Sequence, residues 1–155
     1  MSSFVLRPYV ASDLEAVIRV WYETWHKTFP NLKHPDSMDK WKHRFQEVIV
    51  PSMRVWVVVD GKTHVGFLAI DVANCYLSQL FVDISYQRQG VGVLLLNQAK
   101  SECTTLIRLH TLLSNTKACN FYEKHGFVRG EVGTNQFNGQ PNVMYVWKPI
   151  IKIGD

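Results

Sequence analysis

The chain has 155 residues, 46% hydrophobic and 19% charged, with 17 Lys and Arg against 13 Asp and Glu for a formal charge of +4. That length holds one domain, residues 1–155, with a core of its own, and the composition is that of a soluble globular protein rather than a disordered, collagen-like or disulfide-stapled one. No apolar run nears the roughly 18 residues of a bilayer span and residues 1–9 lack a secretion signal's charged start and long apolar stretch, so no membrane is expected and the location reads as cytoplasmic.

Phe4 to Tyr9 alternate as a short strand. Ser12 and Glu15 then have capping-box spacing and predict a helix whose inward face is Leu14, Val17, Ile18, Trp21 and Trp25. Thr28 to Asp36, with Pro30 and Pro35, reads as a loop. A second helix is expected over Ser37 to Val48, with Met38, Trp41, Phe45 and Val48 in one stripe and Pro51 to stop it. Trp21, Trp25, Phe29, Trp41 and Trp56 make this half aromatic. Core packing accounts for each of them, and a flat apolar amine would also find stacking partners here.

Arg54 to Val59 and Lys62 to Ile70 flank Asp60 and Gly61, a two-residue type I′ hairpin signal. The next stretch combines three elements without a break. Cys75 to Val82 reads as strand, Gln87 to Gly92 as a glycine turn, and Val93 to Lys100 as helix. A helix start leaves its first N–H groups without intrahelical partners, and glycines let that bare backbone approach an anion. Gly90 and Gly92 carry no Cβ to block the approach, and Arg88 adds fixed positive charge.

Leu106 to Thr111 form a further strand, and Asn115, Ala118, Cys119 and Tyr122 fall at i, i+3, i+4 and i+7 of a following helix, so an amide and a phenol share one face. Gly126 is placed to end that helix as a left-handed C′ residue, with Phe127 starting a strand. Phe127 to Val132 and Val143 to Trp147 then pair across Asn138 and Gly139. Cys75, Cys103 and Cys119 are odd in number without CxxC spacing and indicate neither a disulfide framework nor a metal site. No run of about five or more Lys or Arg marks a nucleic-acid face.

Two motifs together carry a resemblance. Gln87-Arg88-Gln89-Gly90-Val91-Gly92 resembles the pyrophosphate loop of the GCN5-related N-acetyltransferases (GNAT family), and Asn115, Ala118, Phe121, Tyr122, Gly126 and Phe127 match that family's second signature in the right order. The resemblance covers essentially the whole chain. It implies a mixed α/β (α+β) sheet of about seven strands with about four helices, whose splayed central strands form an acetyl-CoA cleft.

The resemblance further implies acetyl transfer from acetyl-CoA, as cosubstrate and without a metal, to a primary amine. Backbone of Leu80, Phe81 and Val82 would pair with the pantetheine arm. Gln87, Arg88, Gln89, Gly90, Val91 and Gly92 would hold the pyrophosphate. Asn115 would anchor the arm or the cleft, and Tyr122 would protonate the departing thiolate. Ser78 and Gln79 stand where many members carry a Glu base, which leaves Glu23, His26, Asp71 or a water on Ser78 as candidates. The acceptor is expected to be a small-molecule amine. A macromolecular amine, or a non-catalytic CoA sensor, are the alternatives. Exposed edge strands in the C-terminal hairpin leave a homodimer open.

Overall fold

Strand alternation feeds two cores on opposite faces of one sheet. The computed structural model describes residues 3–136 and 139–150. Strands β1 (Phe4–Pro8), β2 (Arg54–Asp60), β3 (Thr63–Asp71), β4 (Tyr76–Val82), β5 (Ile107–Leu112), β6 (Val128–Thr134) and β7 (Pro141–Trp147) form a seven-stranded sheet in the order β1-β2-β3-β4-β5-β7-β6. Helices α1 (Leu14–Thr28) and α2 (Met38–Arg44) cover one face, where Trp21, Trp41 and Phe45 bury against Val57, Phe67 and Ala69. Helices α3 (Val91–Glu102) and α4 (Thr116–Lys124) cover the other, where Leu95, Leu96 and Tyr122 bury against Leu68, Ile70 and Tyr145. Each such large apolar side chain contributes roughly 1.5–3 kcal/mol on burial.

Among the described residues only β4 and β5 run parallel, and they pair at a single position, Tyr76 with Arg108. Beyond it β4 stays with β3 and β5 with β7, so the two strands diverge as a V. In β4, Gln79 faces Ala69 and Leu77 faces Ile70, leaving Ser78 as an unpaired bulge residue at the start of the divergence. Gly66 of β3 sits under α3: a Cβ there would lie 2.9 Å from the Phe81 carbonyl and 3.1 Å from a Val91 methyl. The missing side chain lets the helix seat closely on the sheet.

Several local readings are corrected. The cap of the first helix is not made by Ser12 and Glu15. Asp13 accepts the Val10 N–H at 2.8 Å, the chain enters through a tight turn over Ala11–Asp13, and Glu15 pairs with Lys42. A buried carboxylate already bonded to Arg7 and His64 displaces an exposed serine from that role.

Pro51 does not stop the second helix either. After Arg44 the chain widens into a π-turn over Phe45–Ile49, in which the Val50 N–H reaches the Phe45 carbonyl, and a last turn, Val50–Ser52, carries Pro51. Widening just ahead of the ring moves the carbonyl it would strike. The buried stripe therefore runs Trp41, Phe45, Ile49, while Met38 and Val48 stay exposed. In the first hairpin the two loop residues are Gly61 and Lys62, one place later than expected. Gly61 has φ +61° and Lys62 is not left-handed, so the turn is not type I′. Of the second hairpin's turn pair, Asn138 lies outside the described residues, and Gly139 has φ +69°.

Candidate active site

Between β4 and α3 the glycine turn is held from within. Gln87 Nε2 donates to the Val82 carbonyl at 3.1 Å, Gln89 Nε2 to the Ser85 carbonyl at 3.4 Å, and Asp83 Oδ1 accepts the Ser85 N–H at 2.9 Å. Arg88 and Gly90 are both left-handed, with φ +66° and +89°. Such a reversal turns successive N–H groups toward one point. The helical ladder of α3 begins with Leu94 N–H on the Gly90 carbonyl, so the amides of Val91, Gly92 and Val93 have no intrahelical acceptor. At Gly92 a Cβ would meet the Phe121 ring at 3.2 Å, which places α4 against the first turn of α3.

The V between β4 and β5 opens into a cleft of about 1540 Å³ that takes in this turn at one end and α1 and α2 at the other. Ordinary ligand pockets hold roughly 300–1,000 Å³, so two ligands can lie end to end. Leu80, Phe81, Val82, Gln87, Arg88, Gly90, Gly92, Asn115 and Tyr122 all line it. Gln89 and Val91 do not: the Gln89 side chain turns outward and Val91 is 1% exposed in the core, leaving only their backbone toward the turn.

Tyr122 is 6% exposed, and burial raises its pKa, so the phenol stays protonated through neutral pH. Its hydroxyl has no hydrogen-bond partner among the described residues and opens on the cleft. Asn115 caps α4, its Oδ1 accepting the Ala118 N–H at 3.2 Å, which leaves the amide NH₂ for other contacts. At the other end of α4 the Gly126 and Phe127 N–H groups return to the Glu123 and Tyr122 carbonyls around a Gly126 at φ +92°, the closure expected of a left-handed C′ glycine.

The candidate bases separate clearly. Glu23 pairs with Arg19 on the surface of α1, and Asp71 accepts from Asn74 at the outer end of β3. His26 donates from Nδ1 to the Tyr22 carbonyl at 2.7 Å and lies tilted against the Tyr22 ring, outside the cleft. Of the four candidates Ser78 alone lines the cleft, and among the described lining residues there is no Asp or Glu. Trp56 is not a wall of the cleft: it lies on the α3 side and donates to Glu102 at 3.0 Å. Trp21, Trp25, Phe29 and Trp41 do line it.

Three imidazoles line the cleft as well, His125 within the second signature and His34 and His110 outside both motifs. His34 Nδ1 accepts both the Trp41 indole N–H at 3.3 Å and the Asp36 N–H at 3.1 Å, and burial lowers its pKa, so the ring is neutral with its hydrogen on Nε2. His125 closes α4 near Lys100 and Lys124, and its pKa is lowered by burial and by those charges. His110 of β5 shares a 2.7 Å hydrogen bond between Nδ1 and the Tyr76 hydroxyl on the α1 side of the sheet. The period-2 pattern of β5, apolar at Ile107 and Leu109 and polar at Arg108 and His110, is the one sequence signal for that orientation.

Among the described residues no group of three His, Cys, Asp or Glu is placed to hold a metal, and no helix is long and apolar enough to cross a membrane.

Comparison with known proteins places this architecture. A family model described as an acetyltransferase (GNAT) domain matches residues 14–148. The N-acetyltransferase YafP of Escherichia coli (strain K12) is 28% identical over 132 residues, which cover 82% of this chain and 83% of YafP. Among solved structures, apo YjaB from Escherichia coli superposes with a TM-score of 0.75 at 20% identity, over 94% of this chain and 97% of that one. The PaiA N-acetyltransferase of Thermoplasma acidophilum, solved in complex with coenzyme A, gives 0.73 at 21% identity, over 95% and 99%. With its second signature closing α4 and its glycine turn opening α3, the chain belongs to the GNAT acetyltransferase family and is an acyltransferase.

Proposed function

We propose that the protein transfers the acetyl group of acetyl-CoA directly to the primary amine of a small molecule, in the cytoplasm. The observation that carries this reading is one continuous cleft with an unsatisfied helix N-terminus at one end, a protonated and unbonded phenol along it, and an aromatic chamber at the other end. The amides from Gln89 to Gly92, with Arg88 beside them, hold the pyrophosphate. The edge of β4 left open by β5, at Leu80, Phe81 and Val82, receives the pantetheine arm as an added strand. Asn115 faces the arm with its amide NH₂. That the PaiA N-acetyltransferase was solved in complex with coenzyme A supports acetyl-CoA as the cosubstrate.

In the reaction the amine nitrogen attacks the thioester carbon, the C–N bond forms, the C–S bond breaks, and backbone N–H of the β4 edge stabilises the oxyanion. Tyr122 gives its proton to the leaving thiolate, for which a phenol held protonated is suited. The amine must lose a proton, and His110 takes it at Nε2 with Nδ1–H directed at the Tyr76 oxygen. Titration calorimetry with CoA, together with thiol release from acetyl-CoA on adding small amines, tests the reading. CoA bound without thiol release from any small amine, but with release on adding protein or aminoacyl-tRNA acceptors, would replace the small-molecule assignment by a macromolecular one.

A further inference from the structure

The three cysteines take no part in the acetyl-transfer chemistry, and the fold sorts them into a pair and a single. Cys75 lies in the turn between β3 and β4, and Cys103 follows the last residue of α3. Both thiols donate to one acceptor, the Val72 carbonyl, Cys75 Sγ at 3.8 Å and Cys103 Sγ at 3.9 Å. They are also in hydrogen-bonding contact with each other. Cys119 is held elsewhere: it is 2% exposed on α4 and donates to the Leu112 carbonyl at 3.9 Å.

The turn that carries Cys75 is fastened from both sides. Asp71 accepts the Asn74 N–H at 3.2 Å and Asn74 Nδ2 at 2.7 Å, and the Cys75 N–H returns to the Val72 carbonyl at 3.3 Å. From β5, the Arg108 N–H reaches the Cys75 carbonyl at 2.9 Å and its Nη2 the Asn74 carbonyl at 3.1 Å. Cys75 is left-handed, with φ +52°, a conformation that glycine or asparagine adopts at less cost. Its side chain packs against the α3-side core that contains Cys103.

The two sulfurs differ in reach. Cys75 is half-buried, whereas Cys103 is 4% exposed. Burial, and then the neighbouring Cys75, push the Cys103 thiol up to about 11, so it stays protonated and inert at neutral pH. An oxidant arriving from solvent meets Cys75 first, with Cys103 already beside it.

We propose that Cys75 and Cys103 form a modification site for hydroperoxides, which closes a reversible disulfide between the β3–β4 turn and the end of α3. The Cys75 sulfur attacks a peroxide oxygen, the O–O bond breaks, and Cys75 becomes a sulfenic acid while its thiol proton leaves in water. The Cys103 sulfur then attacks the Cys75 sulfur. The S–S bond forms, the S–O bond breaks, and the hydroxyl departs with the Cys103 proton as a second water. The two thiols lose two electrons, which reduce the peroxide, and a dithiol reopens the bridge by exchange. The bridge closes residues 75–103 into a loop that holds β4, the glycine turn and α3, the elements that build the phosphate end of the cleft. Neither CoA nor an amine enters this chemistry, so it stands whether or not acetyl transfer does.

The test treats the intact protein with hydrogen peroxide in the absence of CoA, counts thiols after denaturation, and maps peptides by mass without reduction. The count should fall from three to one, with a single peptide pair joined through Cys75 and Cys103, and dithiothreitol should restore all three. Cys75→Ser and Cys103→Ala should each lose the bridge, and Cys119→Ala should keep it. Because the bridge shortens the unfolded chain's freedom, the oxidised protein should melt about 5 °C or more above the same sample after dithiothreitol. Three thiols persisting in the folded protein, Cys75 carried to sulfinic acid without a bridge, or a bridge that involves Cys119 or joins two chains would each overturn the proposal. So would a bridged protein that melts below its reduced form. Should a cysteine variant fail to fold, the peptide map of the wild-type protein decides alone.

Discussion

Replacing Asp13 with Asn should destabilise the protein by about 3 kcal/mol. The carboxylate is 2% exposed and accepts four hydrogen bonds: Arg7 Nη2 at 2.7 Å and His64 Nε2 at 2.7 Å on Oδ1, and Arg7 Nη1 at 2.8 Å and the Val10 N–H at 2.8 Å on Oδ2. An amide in its place turns an NH₂ toward donors whichever way it is set. Breaking a buried ion pair costs roughly 3–5 kcal/mol, and the 36% exposure of the Arg7 side chain argues for the lower end. For a chain of this size that is a fall in Tm of about 6–12 °C, readable by thermal unfolding at pH 7.

The pH dependence supplies a sign. Arg7 above all holds the Asp13 pKa well below its ordinary 3.8. A depressed folded pKa means stability fully present above the unfolded value and lost as pH falls from there toward the folded one. The gap between wild type and D13N should thus be constant from pH 7 to about 5 and narrow below about 4. A D13N protein melting within about 1 °C of wild type at pH 7, or a gap that widens in acid, would refute the assignment. The consequence for the site is positional. Asp13 ties β1, the entry of α1 and β3 together, and α1 carries Trp21 and Trp25 into the cleft.

Tyr122→Phe should lower kcat about 10- to 100-fold with acetyl-CoA affinity and Tm nearly unchanged, because the hydroxyl has no partner to orphan; equal turnover in steady-state assays would remove Tyr122 from the chemistry. Gly90→Val should weaken acetyl-CoA binding about tenfold or more in calorimetry, since a Cβ there meets open space yet φ +89° costs a branched residue about 1–2 kcal/mol and reshapes the turn. Gly66→Ala should cost about 1–3 kcal/mol by denaturant titration, because its methyl would press on the Phe81 carbonyl, Val91 and Leu95. His110→Gln should lower kcat/KM for the amine at least about tenfold and leave the KM for acetyl-CoA unchanged, with unaltered amine kinetics counting against its role.

The order of strands and helices along the chain and the glycine turn were legible because local chemistry dictates them. Strand alternation, a left-handed glycine ahead of a helix, and the Gly126 closure each have one low-energy solution. What escaped reading depends on contacts across the chain. Asp13 outbids Ser12 only because Arg7 and His64, 6 and 51 residues away, converge on it. The π-turn that carries the helix past Pro51 has no signature of its own in the sequence. Trp25 and Trp56 look alike as residues, yet the pairing of β2 turns Trp56 to the α3 face while α1 turns Trp25 into the cleft. Likewise His110 belongs to no motif, and its place follows from β5 pairing with β7.

Thiol release from acetyl-CoA by wild type and Tyr122→Phe, with one reactive amine and the N-acetylated product identified by mass, tests acetyl transfer through this cleft most directly. Stoichiometric thiol and N-acetyl amine from wild type, cut about 10- to 100-fold by the single hydroxyl, is the predicted result. Tight CoA binding with neither product from any small amine, or product formed as fast by the variant, would contradict it.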